Sequence, residues 1–244
     1  MDWPSYEKPP AIAFVDVDGT LLAETTTYLF ARILRRRGMI KRSFILRALY
    51  HGLQHRFGRL DYGRLVEFGL ESISRVPIVE LETIAQSNFE EYVRPRLYEG
   101  VHQHFTNLAQ QGTRVVLVSS SPGIVIAPLG RYLGCEATLT TPVRIEDGCI
   151  VGTGEGPPCY GEGKLYWAEL WAKERGIGMD FTAAYGDNWS DRTLLCRAGR
   201  AVAVHPRGKL RRLAEDKGWT IVWPKRPLRR SRYRSILRSR ESQS

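Results

Sequence analysis

The chain has 244 residues, 43% hydrophobic and 25% charged, with a formal net charge of +10, the composition of an ordinary soluble globular protein. No apolar run reaches the roughly 18 residues of a membrane-spanning helix, and the opening MDWPSYEKPP lacks the apolar core of a signal peptide. Cys135, Cys149, Cys159 and Cys196 form no C-x-x-C pair, so reduced thiols and a cytoplasmic location are expected.

The first element is Ala11–Leu22, AIAFVDVDGTLL. A short continuous apolar run closed by a turn signal predicts a strand buried on both faces, as in a parallel sheet. Ligands of such sheets sit beyond the carboxyl ends of the strands. Asp16 and Asp18 fall at that end, and residues two apart on a strand share a face. Paired carboxylates repel and are costly to desolvate, which a divalent cation or a shared proton relieves. An Asp carboxylate is also a nucleophile in aspartyl-phosphate chemistry. An ordinary Asp-Gly turn is the plainer reading of the same residues.

Apolar residues then recur at helical spacing from Thr26 to Gln111, too long for a simple crossover, and predict a helical insert of roughly 70 residues. Two stretches hold the positive charge. Thr25–Leu60 carries nine Lys and Arg and no acid, and Pro224–Ser244 carries eight against Glu241. A basic amphipathic helix can lie on an anionic membrane, while a packed apolar face with solvated arginines is the simpler case. The tail is poor in apolar residues and is expected to be disordered.

Strands are predicted again at Thr113–Ser119, Phe181–Tyr185, Ala201–Val204 and Thr220–Trp223. Helices are predicted at Pro122–Gly134 and Lys164–Arg175, a hairpin around Asp147-Gly148, and a loop over Gly152–Gly163. Alternating strands and helices make an α/β fold with a doubly wound parallel sheet. Ser119 ends one strand before a helix, a placement suited to phosphate or to a plain N-cap. Lys164 opens a helix, where a cation is poorly placed unless an anion is near. Asp187, in YGDNWSD, emerges at the same sheet edge as Asp16, with Asp191 four residues on; Asp191 or Ser190 as a helix N-cap is the plainer reading. Together these groups suit magnesium-dependent phosphoryl transfer.

The ordered set D-x-D-G-T, strand ending in Ser, Lys, then G-D-x-x-x-D resembles the haloacid dehalogenase-like phosphatases. The insert directly after the first motif resembles their phosphoserine-phosphatase-like subgroup. The resemblance covers residues 11–223. It implies a Rossmann-like core over 11–25 and 95–223, a helical cap over 26–94 inserted after the first strand, and leaves 224–244 as a basic tail. By position it implies Asp16 as nucleophile and Asp18 as acid and base. It implies magnesium held by Asp16, Asp187 and the backbone carbonyl of Asp18, and phosphate held by Thr20, Ser119 and Lys164. Asp191 would support the metal shell and position Lys164.

Phosphoserine phosphatases carry a Glu nine residues after the nucleophile; here Glu24 is eight after Asp16, and Thr25 is ninth. Ser120 and Ser121 replace glycines, and Ser190 an Asn. The expected partner is therefore a phosphorylated small molecule or a phospholipid head group, with phosphoserine as the alternative. Peripheral contact with an anionic membrane is carried as an expectation, sequence-specific nucleic-acid binding is not. The reading of another class is a basic membrane- or nucleic-acid-associated binding protein with a secondary phosphatase core.

Overall fold

The computed structural model describes residues 3–41, 44, 46, 47, 50, 62–74 and 76–227. Much of the basic stretch after Lys41, and the tail from 228 on, lie outside the described residues.

The expected opening strand forms as β1 (Ile12–Asp16), every residue of it buried. It pairs in parallel with β2 (Arg114–Pro122) on one side and β6 (Thr182–Gly186) on the other. Burial on both faces follows from the alternation of its side chains. Ala13 and Val15 face one core with α4 (Val101–Gln110) and α5 (Gly123–Leu133), through Val101, Phe105, Ile126 and Leu129. Ile12 and Phe14 face the other with α6 (Glu162–Glu174) and α7 (Arg192–Arg197), through Ala168, Trp171, Leu194 and Leu195.

With β3 (Ala137–Thr141), β7 (Arg200–Val204) and β8 (Thr220–Val222), the sheet has six strands in the order β3-β2-β1-β6-β7-β8. Every neighbouring pair is parallel. This is the doubly wound, Rossmann-like order. The chain leaves β1 in one direction across the sheet and β6 continues in the other, so a crevice opens between their carboxyl ends. α8 (Gly208–Asp216) leads into the edge strand β8.

The helical signal after β1 resolves into α1 (Thr26–Arg36), α2 (Tyr62–Glu71) and α3 (Ile78–Ser87) among the described residues. Their apolar sides share a cluster, including Ile33, Leu70, Leu81 and Ile84, that takes in Ile124 and Val125 of α5. The helical pattern predicted as far as Gln111 is broken by structure: α4 packs on the sheet. The connections leaving and rejoining the sheet are tied together, Ala23 N donating to Arg96 O at 2.9 Å and Tyr98 N to Leu21 O at 3.0 Å.

Two boundaries differ from the sequence reading. β2 runs past Ser119 to Pro122, with its register against β3 shifting between those residues. The predicted loop is shortened by β5 (Cys149–Thr153), which pairs with β4 (Val143–Glu146) around Asp147 and Gly148, both at positive φ. The hairpin reaches back to α3, where Ile78 N donates to Gly148 O at 2.8 Å. All four cysteines are free, and no described helix is long and apolar enough to cross a membrane.

Trp3 covers the outside of α4, its ring stacked on that of His104 at 5.1 Å, while His104 Nε2 lies 3.1 Å from the Tyr185 hydroxyl. Burial pushes His104 down to about 4 from its ordinary 6.5. Between those values the unfolded chain binds a proton that the folded one refuses, so stability falls as pH drops through this window. His104→Gln should therefore flatten the decline of Tm between pH 6.5 and 4. An unchanged Tm profile would show that His104 is not the group responsible.

Candidate active site

The crevice between β1 and β6 collects most of the polar residues singled out in the sequence. Asp16, the last residue of β1, is 5% exposed. Its Oδ2 accepts from Thr20 Oγ1 at 2.8 Å and its Oδ1 from Lys164 Nζ at 2.5 Å. Thr20 can turn back on Asp16 because Gly19, at φ +94°, takes a left-handed turn there.

Lys164 is the third residue of α6 and is 3% exposed. Its entry depends on Gly163, where a Cβ would stand 1.9 Å from the Pro158 carbonyl oxygen. Nζ also donates to Asp191 Oδ1 at 2.6 Å. Asp191 accepts from Asn188 N at 3.0 Å while the Asn188 side chain caps Ser190 N, a reciprocal box that fixes the turn after β6. Asp187 sits in that turn, directly after Gly186.

Asp18 is placed differently from expectation. β1 ends at Asp16, so a shared strand face does not orient Asp18; the first turn of α1 does. Thr26 N donates to its Oδ1 at 2.8 Å and Thr26 Oγ1 to its Oδ2 at 3.2 Å. The carboxylate thus caps α1, whose own Thr25 makes no side-chain cap. Ser119 is buried, and its Oγ accepts from Ser121 N at 3.2 Å within its own turn.

Burial is the largest influence on the acids. It raises Asp16, against the opposing charge of Lys164 and with the help of Asp191 and Asp18. Burial also raises Asp187, reinforced by Asp16 and Asp191, and raises Asp18 against its bonds from Thr26. Burial alone would lower Lys164, but Asp16 and Asp191 outweigh it and hold the ammonium well above its ordinary value. One buried ammonium faces Asp16, Asp18, Asp187 and Asp191, and the excess negative charge calls for a cation. Carboxylate oxygens of Asp16, Asp187 and Asp191 lie within 4.8 Å of one another. An all-oxygen donor set of this charge fits magnesium.

The family model for haloacid dehalogenase-like hydrolases matches residues 13–195. The chain belongs to that family. Among relatives of this hydrolase, the phosphoserine phosphatase SerB1 of Mycobacterium tuberculosis is 28% identical, over 89% of this chain and 73% of that one. The histidinol-phosphatase of Neisseria meningitidis is 25% identical, over 86% and 97%. A crystal structure of a Bordetella pertussis protein of unknown function superposes with a TM-score of 0.79 at 26% identity, covering 86% of this chain and 97% of that one. The enzyme is a phosphatase of the haloacid dehalogenase-like family.

Sequence reading named Ser120 and Ser121 but not the contacts that build the rim of this hydrolase's crevice. Ser121 Oγ lies 2.8 Å from Thr26 Oγ1 and 2.7 Å from Thr27 Oγ1, joining the end of β2 to the start of α1. Tyr62, on α2, donates to Ser120 O at 3.2 Å and stacks on Tyr160 at 4.1 Å, ahead of Lys164. Burial pushes the Tyr62 hydroxyl up to about 12. The run Ser119–Ser121 and the threonines after Glu24 were the only traces of this network in the sequence.

Gly19 gives a direct test of the carboxylate arrangement. A Cβ there would stand 2.3 Å from Asp187 Oδ2. Gly19→Ala should displace Asp187 and weaken magnesium binding about tenfold or more, in the range found for groups that orient a ligand. Magnesium titration of the rate checks this; an unchanged magnesium dependence would mean Asp187 does not need its present position.

Proposed function

We propose that this phosphatase is a magnesium-dependent phosphomonoesterase working through an aspartyl-phosphate on Asp16. The observation that carries the reading is the buried Lys164 ammonium, shared between Asp16 and Asp191 at 2.5 and 2.6 Å. It favours the ionised carboxylate that a nucleophile needs and supplies positive charge where phosphoryl oxygens would lie. A carboxylate oxygen of Asp16 bonds to phosphorus as the bond to the leaving oxygen breaks. Asp18 gives its proton to that oxygen. Water then attacks phosphorus, surrenders a proton to Asp18, and Asp16 is released.

Burial keeps Asp18 raised, which suits a donor, and the two Thr26 bonds fix its direction. Thr20 steadies Asp16, and Ser119 with Lys164 would hold the phosphoryl oxygens. Magnesium, held by Asp16, Asp187 and the Asp18 carbonyl with Asp191 behind them, would add positive charge against those same oxygens.

We assign residues 26–94 as a cap over the crevice, residues 11–25 and 95–223 as the core, and the substrate as a phosphorylated small molecule or a lipid head group. Phosphoserine is the second reading, supported by the names of relatives, SerB1 among them. Against it, Glu24 stands one place from where such enzymes carry their Glu, and its carboxylate is ion-paired with Arg96 at 3.0 Å.

Purified protein with magnesium, offered p-nitrophenyl phosphate, phosphoserine, histidinol phosphate and glycerol 3-phosphate, tests the proposal. Phosphate release that stops on chelation is expected. No release from any ester would overturn the phosphomonoesterase reading. A preference for phosphoserine would replace the first substrate reading with the second.

A further inference from the structure

The two faces of α1 have different surroundings. Leu29, Phe30, Ile33 and Leu34 are buried, so the apolar stripe is covered by the protein itself. On the other face Arg32, Arg35 and Arg36, with Ile40, line an open cavity of about 470 Å³. It lies roughly 9 to 15 Å along the helix from Thr26, the residue that binds Asp18.

The guanidinium groups are partly fixed. Arg32 lies 5.7 Å from the Tyr28 ring centroid and Arg36 5.3 Å from that of Tyr92. Arg36 Nη1 also donates to the Tyr92 hydroxyl. None of the three arginines is in an ion pair among the described residues. Residues 25–60 contain no acid at all. Like charges at i, i+3 and i+4 oppose helix formation. The helix dipole offsets part of this for Arg35 and Arg36 in the last turn, but it gives no reason for three guanidinium groups to gather round one cavity. A phosphoryl group does, because planar forks bind its oxygens in pairs.

We propose that Arg32, Arg35 and Arg36 form a second anion site, outside the catalytic crevice, that takes the phosphoryl group of a phosphate ester. The ester is carried by an anionic lipid or by a soluble metabolite. With the apolar stripe covered, lipid contact here is electrostatic and reversible, without insertion. The three guanidinium groups round this cavity lie within two helical turns and make a compact site.

The test uses the full chain and the variant R32Q/R35Q, leaving Arg36 with Tyr92. Calorimetry should show two inorganic phosphates bound by the wild type and one by the variant. Co-sedimentation with phosphatidylcholine vesicles containing phosphatidic acid should weaken about thirtyfold, at the strength per arginine seen near anionic bilayers. Magnesium-dependent turnover of p-nitrophenyl phosphate should not change, and Tm should not fall. Loss on vesicles alone identifies a lipid head group as the source, and loss of the second phosphate identifies a soluble ester. R32K/R35K keeps the charge and loses the forks; undiminished phosphate and vesicle binding by it would reduce the site to diffuse charge and overturn the proposal. Equal binding by wild type and R32Q/R35Q in both assays would overturn it too. So would loss confined to a single-stranded oligonucleotide, which would place nucleic acid on this face.

Discussion

Asp16→Asn should lower turnover of an aryl phosphate by about six orders of magnitude, the scale on which removal of an attacking group acts. The amide keeps the shape of the carboxylate and removes the charge proposed to attack phosphorus. Thr20 Oγ1 and Lys164 Nζ both donate to Asp16, at 2.8 and 2.5 Å, and an amide oxygen can accept from only part of that set. Lys164 keeps Asp191 as a partner at 2.6 Å, so its charge is not stranded. Burial of Asp16 as an anion is itself costly, since desolvation is the largest influence raising it. Asp16→Asn should thus keep or raise Tm while activity disappears. Acid quenching of the wild type with radiolabelled substrate should trap label on protein, and the variant should trap none. Turnover within tenfold of wild type would remove Asp16 as nucleophile.

The residues legible in the sequence are those whose chemistry is local. An apolar run ending in Asp, a Gly-rich loop ending in Lys and a strand ending in Gly-Asp each announce themselves within a few positions. Parallel-sheet topology then brings their ends to one edge, which is why Asp16, Lys164 and Asp187 could be placed before any contact was known. Asp18 was legible as a residue and not as a geometry. Its direction comes from Thr26, eight positions on, through a helix start that nothing in D-x-D-G-T specifies. Tyr62 and Tyr160 were invisible because their meeting depends on how α2 lies over the loop before α6. Periodicity gives the helices after β1 but not their packing. The same limit explains α4: an amphipathic pattern does not say whether its apolar face meets another helix or a sheet, and Val101, Phe105 and Leu108 meet the sheet.

Lys164→Met should produce the largest combined loss of stability and activity. Methionine matches the length of the stem and removes the ammonium from a site that is 3% exposed. Asp16 and Asp191 would then face each other and Asp187 with no buried cation between them. Breaking a buried ion pair from one side costs about 3–5 kcal/mol, because the remaining charge stays desolvated. Proton uptake by the carboxylates would recover part of this, since burial already raises Asp16 and Asp187 and loss of Lys164 removes an opposing charge from both. An acid whose folded value is raised stabilises the fold below its unfolded value and loses that contribution as pH climbs through the folded one. In chelator the variant should therefore lose Tm as pH rises, more steeply than the wild type. Added magnesium should restore more Tm to the variant than to the wild type, because it supplies the missing positive charge to the same oxygens. Turnover should stay down by roughly two to three orders of magnitude even with metal, as for removal of one group that stabilises developing charge. Lys164→Arg should not rescue it, since a planar fork on a longer reach does not fit a point charge held 2.5 Å from one acid and 2.6 Å from another. Melting curves in chelator and in magnesium across pH, read beside turnover, decide the matter: a variant with wild-type Tm and rate in both would show that Lys164 balances neither the carboxylates nor the phosphoryl group.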